Sequence, residues 1–297
     1  MLPGMAGKPR VAIVGAGNLG RALAVSLRRA GYDVEAVIAR SRGASLRRAQ
    51  SLAKQVGARA LSDSSVGPSV GLAALRADLI WFCVPDAEIV RTARSLAGKI
   101  EGKGRVALHS SGALSSDALA VLRRRGAFVA SVHPMMTFVR GSRPSLAGVA
   151  FAVEGDAAAV RMVRRVIKTL GGHFYSIRKN DKAAYHAWGT FASPLFTALL
   201  ATTEQVAALA GVNRREAKRR MLPILQQTLA NYAAFGAARA FSGPIIRGDV
   251  DTVKRHLRVL RKVPAARQVY SALAGAALRY LPVKNKKELK RVLGSLR

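Results

Sequence analysis

The chain has 297 residues, and half of them are apolar, which excludes a disordered basic protein and suffices for two packed domains. Its formal net charge of +33 points first to nucleic acid, but the excess is shared almost evenly, +17 in residues 1–178 and +16 in residues 179–297. The one cysteine, Cys83, excludes an internal disulfide and a cysteine-based zinc site, and it favours the cytoplasm.

The first half of the chain alternates apolar runs with helical patterns, which is typical of βαβ units and a parallel sheet. Buried strands are predicted at residues 10–14, 34–39, 58–61, 79–84, 105–108, 127–132, 151–154 and 173–177. Helices are predicted between them at residues 19–30, 45–56, 87–96, 116–124 and 157–170. The predicted fold class is therefore α/β, with a parallel sheet in a first domain over residues 1–178.

From about residue 180 the strand signals fade and helical periodicity takes over. Helices are predicted at residues 181–211, 214–234, 249–261, 265–281 and 286–293, with Gly211 and Gly236 as helix stops. We expect an all-α second domain over residues 179–297. The uncharged run at 187–203 is shorter than the roughly 20 apolar residues of a membrane span, and no secretory signal is visible. We therefore expect no membrane partner and a cytoplasmic protein.

The first predicted strand is followed by Gly15-Ala16-Gly17-Asn18-Leu19-Gly20, which fits G-x-G-x-x-G between a strand and a helix. The first glycine permits a tight turn, the second lets the backbone approach a pyrophosphate, and the third lets the helix pack on the strand. The helix N-terminus then offers free N–H groups to the phosphates. The motif predicts a dinucleotide site, and the alternative is a plain strand–helix turn.

The end of the second strand indicates which dinucleotide binds. An NAD site places an acid about 20 residues after the motif, whereas an NADP site places an arginine there. This chain has Arg40, Ser41 and Arg42 at that point, and Glu35 lies inside the strand. We predict NADP(H), with these three residues around the 2′-phosphate. The alternative is that they are ordinary arginines of an arginine-rich chain.

Three later strand ends carry polar residues, and ligands of open α/β sheets bind beyond such ends. We expect Val84, Pro85 and Asp86 near the cofactor. We expect His109, Ser110, Ser111 and His133 to contact the substrate or the nicotinamide amide. Alternatively, the serines cap the next helix and the histidines bond backbone carbonyls. The histidines have no third ligand at metal spacing, so no metal site is predicted.

The sequence resembles a particular family in several motifs taken together. They are the Gly15–Gly20 motif, His109-Ser110-Ser111-Gly112-Ala113, Ser131-Val132-His133-Pro134, Phe138, Tyr185-His186, Gly243-Pro244-Ile245 and Arg247-Gly248-Asp249. They look like the bacterial proteins with a Rossmann-like domain and a C-terminal domain of unknown function 2520. The resemblance implies a fold related to the 6-phosphogluconate dehydrogenase superfamily, which includes ketopantoate reductase and pyrroline-5-carboxylate reductase. It also implies a homodimer built through the helical domain.

The first long helix after the sheet domain carries Lys182 and His186, which are four residues apart and share one face. Several superfamily relatives place a lysine with a polar partner one turn later, facing the nicotinamide. Hydride transfer to a carbonyl builds negative charge on oxygen, which a cation or an acid must meet. We therefore predict Lys182 and His186 as catalytic residues. The alternative is a solvated lysine and a core histidine.

Two more residues of the second domain are candidates for substrate binding. Ser193 lies on the same predicted helix as Lys182, and Arg247 lies in the Gly243–Asp249 loop. A guanidinium can clamp a carboxylate with two charge-assisted bonds. The alternative is a structural loop at a dimer interface, in which Asp249 caps the helix that follows.

These features predict an NADPH-dependent oxidoreductase that reduces a small anionic carbonyl compound or an imine, and the resemblance implies a ketopantoate-like 2-oxo acid as the leading candidate. A non-catalytic NADP(H)-binding sensor on the same fold is the alternative. Nucleic-acid binding is a third class, but no helix-turn-helix or zinc finger is evident, and 6% aromatic residues is thin for stacking on bases. We expect no specific nucleic-acid partner.

Overall fold

The computed structural model describes residues 7–63, 75–142 and 144–294. Within them the chain divides into two units, Met1–Thr190 and Phe191–Arg297. The division therefore lies at residues 190/191, whereas the sequence places the domain boundary at 178/179. The first unit has an apolar cluster on each face of its sheet, and the second unit has one apolar cluster among its helices.

The first unit contains one eight-stranded sheet in the order β3-β2-β1-β4-β5-β6-β7-β8. The strands are β1 Val11–Val14, β2 Val34–Ala39, β3 Arg59–Ser62, β4 Leu79–Phe82, β5 Val106–His109, β6 Phe128–Pro134, β7 Ala150–Gly155 and β8 His173–Ser176. All neighbours pair in parallel except β6 and β7, which run antiparallel. The α/β class with a mainly parallel sheet is confirmed.

Helices cover both faces of this sheet because successive strand residues point to opposite sides. They are α1 Asn18–Arg29, α2 Ala44–Val56, α3 Asp86–Ala97, α4 Ala120–Arg123 and α5 Ala157–Thr169. Val11 and Ile13 belong to the cluster on one face, and Ala12 and Val14 belong to the cluster on the other. The helix predicted at 116–124 is a 3-10 turn, Ser116–Leu119, followed by the short α4.

The remaining helices confirm the all-α character of the C-terminal region. They are α6 Lys182–Ala192, α7 Pro194–Ala208, α8 Arg214–Ala240, α9 Pro244–Arg247, α10 Val250–Val259, α11 Pro264–Tyr280 and α12 Lys286–Gly294. The single helix predicted at 181–211 is wrong. It breaks at Ser193, which has φ −132° and ψ −72°, because Pro194 has no N–H and its ring disfavours helical backbone in the residue before it.

Both glycine stops are confirmed. Gly211 follows α7 with φ 74°, as expected for a helix end. Gly236, with φ 74° and ψ 170°, has non-helical backbone and divides α8 into two helical segments. No helix among the described residues is long and apolar enough to cross a membrane.

Candidate active site

The glycines of the first motif create a cradle that side chains would fill. Gly15 has φ 105°, and a Cβ there would lie 2.7 Å from the carbonyl oxygen of Cys83. A Cβ on Gly20 would overlap the carbonyl oxygen of Gly15. Gly17 is the N-cap of α1, with free space beside it. The backbone is therefore bare where a phosphate would approach a helix N-terminus.

The start of α1 suits an anion. Its N-cap makes no side-chain hydrogen bond, and its first turn contains no acid. The side-chain amide of Asn18 donates to the carbonyl oxygen of Phe138, at 3.0 Å. Leu19 packs against the core beside β1. The first-turn N–H groups and the helix dipole therefore fit a pyrophosphate.

At the end of β2, the side chains of Arg40 and Arg42 are exposed and Ser41 is half-buried. No ion pair among the described residues involves either arginine. Glu35, by contrast, is paired with Arg59 inside the strand region. A phosphate at this end of β2 would meet two guanidinium groups that no acid of the described residues already occupies. We call the ends of β1 and β2 the cofactor rim, comprising Gly15, Gly17, Gly20, Arg40, Ser41 and Arg42.

After β4, Val84 and Pro85 lead into α3, and Asp86 is its first residue. The Asp86 carboxylate accepts a 2.7 Å hydrogen bond from the Ser111 hydroxyl. That hydroxyl also accepts from the N–H groups of Ala113 and Leu114. Two of the predicted polar strand ends are therefore joined to each other, and the bonds fix the loop that follows β5.

His109, the last residue of β5, is fully buried. Its Nε2 lies 2.9 Å from the Ser115 carbonyl oxygen, and its Nδ1 accepts from the Ser111 N–H. Burial lowers the pKa of His109 to about 4, so the ring is neutral with the proton on Nε2. The imidazole bonds a backbone carbonyl, as in the alternative interpretation, and it shapes the Ser110–Ser115 loop.

The serines of this loop have separate partners. The Ser110 hydroxyl accepts from the indole N–H of Trp81 at 2.8 Å. The residue that caps the following 3-10 turn is Ser115, whose side chain accepts from the Asp117 N–H. Capping therefore falls to Ser115, and not to Ser110 or Ser111.

Lys182 begins α6 and is buried, with 1% of its surface exposed. Its ammonium donates to the Ser131 hydroxyl at 2.7 Å and to the Ser111 carbonyl oxygen at 3.1 Å. Burial lowers the pKa of Lys182, while the charges of Glu154 and Asp86 act in the opposite direction. The lysine therefore ties α6 to the ends of β5 and β6.

Glu154 supplies a buried negative charge on β7, directly opposite Ser131 in the sheet register. Its carboxylate accepts from the Ser116 N–H at 2.6 Å and from the Ser116 hydroxyl at 2.8 Å. This acid offsets part of the cost of burying the Lys182 ammonium.

His133, near the end of β6, lies beside two residues of α6. Its Nδ1 is 2.6 Å from the Tyr185 hydroxyl, and its ring centroid is 6.3 Å from that of His186. Burial lowers the pKa of His133 to about 4, and the charge of Lys182 adds to this effect. The two imidazoles thus meet at the end of the sheet, one of them uncharged.

Gly112 separates these imidazoles. A Cβ at this position would lie 2.7 Å from His186 Cδ2 and 3.0 Å from His133 Nε2. We call this cluster the reaction rim, comprising Ser111, Gly112, Ser131, His133, Lys182, Tyr185 and His186. Gly112, Ser131 and Tyr185 fall outside the predicted site residues. The spacing of Tyr185 from Lys182, three residues along one helix, is the signal that points to it.

Ser193 and Arg247 belong to the second unit. Ser193 is the N-cap of α7, and its carbonyl oxygen accepts from the Thr197 hydroxyl. The Arg247 guanidinium pairs with the Asp249 carboxylate at 2.9 Å. Asp249 occupies the N-cap of α10, but its side chain makes no capping bond because it bonds Arg247. The expected capping role of the Asp249 side chain is therefore wrong.

The described residues contain no group of three or more His, Cys, Asp or Glu side chains that could hold a metal ion.

Two family models match the chain and together span most of it. Residues 5–134 match a Rossmann-like domain, and residues 149–277 match a domain of unknown function, DUF2520. The chain belongs to the Rossmann-like proteins that carry a C-terminal DUF2520 domain. The predicted resemblance is confirmed. The DUF2520 match starts just before β7, so it includes the last two strands of the sheet as well as the helices.

Solved structures share this fold. An assigned NADP oxidoreductase from Bacteroides fragilis is 20% identical, with a TM-score of 0.73 over 91% of this chain and 97% of that one. A reductive aminase from Aspergillus terreus, in complex with NADPH and ethyl-5-oxohexanoate, is 15% identical, with a TM-score of 0.64 over 98% and 100%. A pyrroline-5-carboxylate reductase from Coxiella burnetii is 14% identical, with a TM-score of 0.57 over 95% and 99%. None of the curated proteins matches the sequence.

Proposed function

We propose that this DUF2520 protein is an NADPH-dependent reductase of a small carbonyl or imine substrate. The observation that carries the proposal is the buried Lys182 bonded to the ends of β5 and β6, beside His133, Tyr185 and His186. The cofactor rim lies on the same sheet. The neighbouring folds include an aminase solved with NADPH and a reductase of a cyclic imine, which supports the same class of reaction.

NADP(H) fits the cofactor rim. The bare backbone at Gly15, Gly17 and Gly20 would receive the pyrophosphate at the start of α1. Arg40, with Ser41 and Arg42, would hold the 2′-phosphate, and a charge-assisted bond of this kind contributes about 1.5–3 kcal/mol. The reduced nicotinamide would supply the hydride. Val84, Pro85 and Asp86 would border it, since they follow the strand next to β1.

Lys182 and His186 are the proposed catalytic pair, with different roles. The ammonium is almost fully buried and already donates to Ser131 and Ser111, so Lys182 acts by its charge on an oxygen that becomes negative. His186 is exposed on the next turn of α6, where its imidazole can form a hydrogen bond with the substrate. Ser111 and Ser131 hold the ammonium in place.

We propose an anionic substrate, such as a 2-oxo acid of the ketopantoate class. The net charge of +33 creates a positive field that draws anions toward the protein. His109, Ser110, Ser111 and His133 shape the strand ends that would receive the substrate. Arg247 and Ser193 are the candidates from the second unit. The charge of Arg247 is partly compensated by Asp249, so a substrate carboxylate would compete with that acid.

We also propose a cytoplasmic homodimer. Helices α7 and α8 expose large apolar side chains, including Leu195, Ile224, Tyr232 and Phe235. Exposed apolar surface of this kind is typical of an interface. Sedimentation velocity over a range of concentrations tests the assembly, and a monomer at all of them would contradict it.

An NADPH oxidation assay against a panel of 2-oxo acids and cyclic imines tests the activity. We expect turnover with at least one member of the panel, and NADPH bound more tightly than NADH. Tight NADPH binding without turnover would favour a sensor instead. Equal affinity for NADH and NADPH would contradict the role given to Arg40, Ser41 and Arg42. Retention on DNA that is lost at moderate salt would indicate only nonspecific phosphate contact.

A further inference from the structure

The contact between His133 and Tyr185 joins a strand to a helix at the reaction rim. His133 Nδ1 lies 2.6 Å from the Tyr185 hydroxyl, and the rings meet edge to face with centroids 5.4 Å apart. Tyr185 is buried, while His133 is half-buried and reaches solvent. The tyrosine therefore bonds one nitrogen of the imidazole from the protein side.

The direction of this hydrogen bond follows from the surroundings of the hydroxyl. A tyrosine hydroxyl has one proton, and a buried donor without an acceptor is costly. Burial raises the pKa of Tyr185, and the Tyr175 hydroxyl, the other polar neighbour, adds to this rise. Among the described residues, however, only His133 Nδ1, at 2.6 Å, lies within hydrogen-bond geometry of the Tyr185 hydroxyl. His133 Nδ1 is thus the acceptor for the Tyr185 proton. The proton of the neutral imidazole then lies on Nε2.

The Nε2 atom of His133 has no hydrogen-bond partner among the described residues, and it is not buried, so it can meet a ligand. Gly112 packs against this atom on one side, since a Cβ there would lie 3.0 Å from Nε2 and 2.7 Å from His186 Cδ2. The Lys182 ammonium, bonded to Ser131 two residues before His133, is near enough for its charge to act on the imidazole. A polar atom that approached Nε2 from the open side would meet an N–H donor with positive charge close by.

We propose that His133 donates its Nε2 proton to the reacting oxygen or nitrogen, and that Tyr185 is the positioning residue that fixes this tautomer. This inference rests on the proposed reductase function and names a catalytic donor for it. A neutral imidazole of lowered basicity is an effective electrophile toward a carbonyl. Lys182 and His186 remain close to this donor, the first as a charge and the second as the exposed neighbour.

For a carbonyl substrate, the reduced nicotinamide would supply the hydride to the carbonyl carbon, the C–O π pair would move to oxygen, and that oxygen would take the proton from His133 Nε2. Nδ1 takes the Tyr185 proton as Nε2 loses its own. The tyrosinate then recovers a proton from water. Burial and the neighbouring Tyr175 raise the pKa of Tyr185, so the hydroxyl keeps its proton until the oxygen becomes strongly basic.

Nitrogen NMR of the histidine-labelled protein tests the tautomer without any substrate. The chain has five histidines, and His133→Asn identifies the signals of interest. We expect His133 as the Nε2–H tautomer, and a shift toward a mixture in Tyr185→Phe. The second unit offers a matched control, since His256 Nδ1 lies 3.1 Å from the Tyr270 hydroxyl. Tyr270→Phe should alter only His256. An Nδ1–H tautomer of His133 in the unchanged protein would overturn the inference.

Turnover by the same variants tests the catalytic step. We expect His133→Asn and Tyr185→Phe to lower kcat roughly 100-fold or more with NADPH affinity unchanged, as for loss of a general acid. Tyr270→Phe should keep full activity. His133→Gln, which places an amide N–H near the position of Nε2, should recover part of the loss and guards against a variant that misfolds.

Failure of the His133 inference and failure of the proposed reductase function give different results. If the unchanged protein oxidises NADPH and both His133→Asn and Tyr185→Phe retain that rate, this inference is overturned and the reductase stands. If the unchanged protein oxidises no NADPH with any substrate of the panel, the proposed function fails, and the catalytic role of His133 fails with it.

Discussion

The cofactor rim and the reaction rim lie on one sheet but are built by different means. The cofactor rim consists of glycine backbone without side chains and of two exposed arginines that form no ion pair among the described residues. At the reaction rim, the side chains already bond one another, as Lys182 does with Ser131 and Ser111. The first rim would gain its partners from the ligand, whereas the side chains of the second are already held by bonds within the protein.

This difference has a consequence for substitutions. A change at the cofactor rim should alter which dinucleotide binds and how tightly. A change at the reaction rim should leave binding intact and alter the rate, because the bonds there fix the orientation of the donors. Variants at either rim that change both the dinucleotide affinity and the reaction rate would contradict this separation of roles.

The largest effect is expected from Gly20→Ala. The added Cβ would overlap the carbonyl oxygen of Gly15, which is backbone and cannot rotate away, so α1 must shift from β1. We expect loss of measurable NADPH binding by fluorescence titration together with a lower melting temperature. Gly98→Ala is the control, since it has negative φ and free space around it. Unchanged NADPH affinity in Gly20→Ala would contradict the cradle.

Gly112→Ala should have the next largest effect, and on rate alone. The methyl group would press on His133 Nε2 and His186 Cδ2, so both rings must turn. We expect kcat to fall about 100-fold, the range found when a positioned acid is lost. NADPH affinity should change less than threefold. Gly189→Ala, with no atom near its Cβ position, is the control within α6. A loss of NADPH binding in Gly112→Ala would contradict the separation of cofactor binding from catalytic rate between the two rims.

The backbone geometry of the cofactor rim could be predicted from the sequence because its information is local. Gly15, Gly17 and Gly20 run from the end of β1 into the first turn of α1, and Arg40 follows β2, as the spacing predicts. Their binding of NADP(H) stays a prediction. The order of strands and helices can be predicted for the same reason, because apolar runs alternate along the chain with segments of helical periodicity. The exceptions arise at local interruptions such as Ser193-Pro194.

The reaction rim could be predicted only in part. His133, Lys182 and His186 stand out as residue types, but their bonds join positions 51–71 residues apart, and no local pattern records such pairs. Ser131 and Glu154 are inward-facing residues of paired strands that only the sheet register brings together. The helical spacing predicts that Tyr185 is buried. It does not predict the bond between its hydroxyl and His133, because that bond depends on where β6 lies relative to α6.

Arg40→Ser sharpens the difference at the cofactor rim. Removal of a phosphate-binding guanidinium should weaken NADPH about 10- to 100-fold, in line with about 1.5–3 kcal/mol for a charge-assisted bond. NADH affinity should stay the same, because NADH has no 2′-phosphate. Arg29→Ser, an exposed arginine in the last turn of α1, is the control for net charge. Equal losses for NADPH and NADH would show that Arg40 acts only through the general field.

The smallest effect concerns acid stability, and it tests the preorganisation of the reaction rim. The pKa values of His109 and His133 are about 4, below the ordinary 6.5, because burial disfavours the charged ring. Between these values the unfolded chain binds more protons than the folded chain, so stability rises with pH through the window from about 4 to 6.5. It falls as the solution is acidified through the same window.

Urea unfolding at half-unit steps from pH 4.5 to 7.5 measures this slope. His109→Asn should be less stable at pH 7, because it loses bonds to Ser115 and Ser111, and its slope should be flatter by up to one proton. His173→Asn, at an exposed position, should keep the slope of the unchanged protein. If His109→Asn also keeps that slope, the ring is not held neutral by burial. The bonds that shape the Ser110–Ser115 loop would then depend on a charged imidazole, and Nδ1 would no longer be available to the Ser111 N–H.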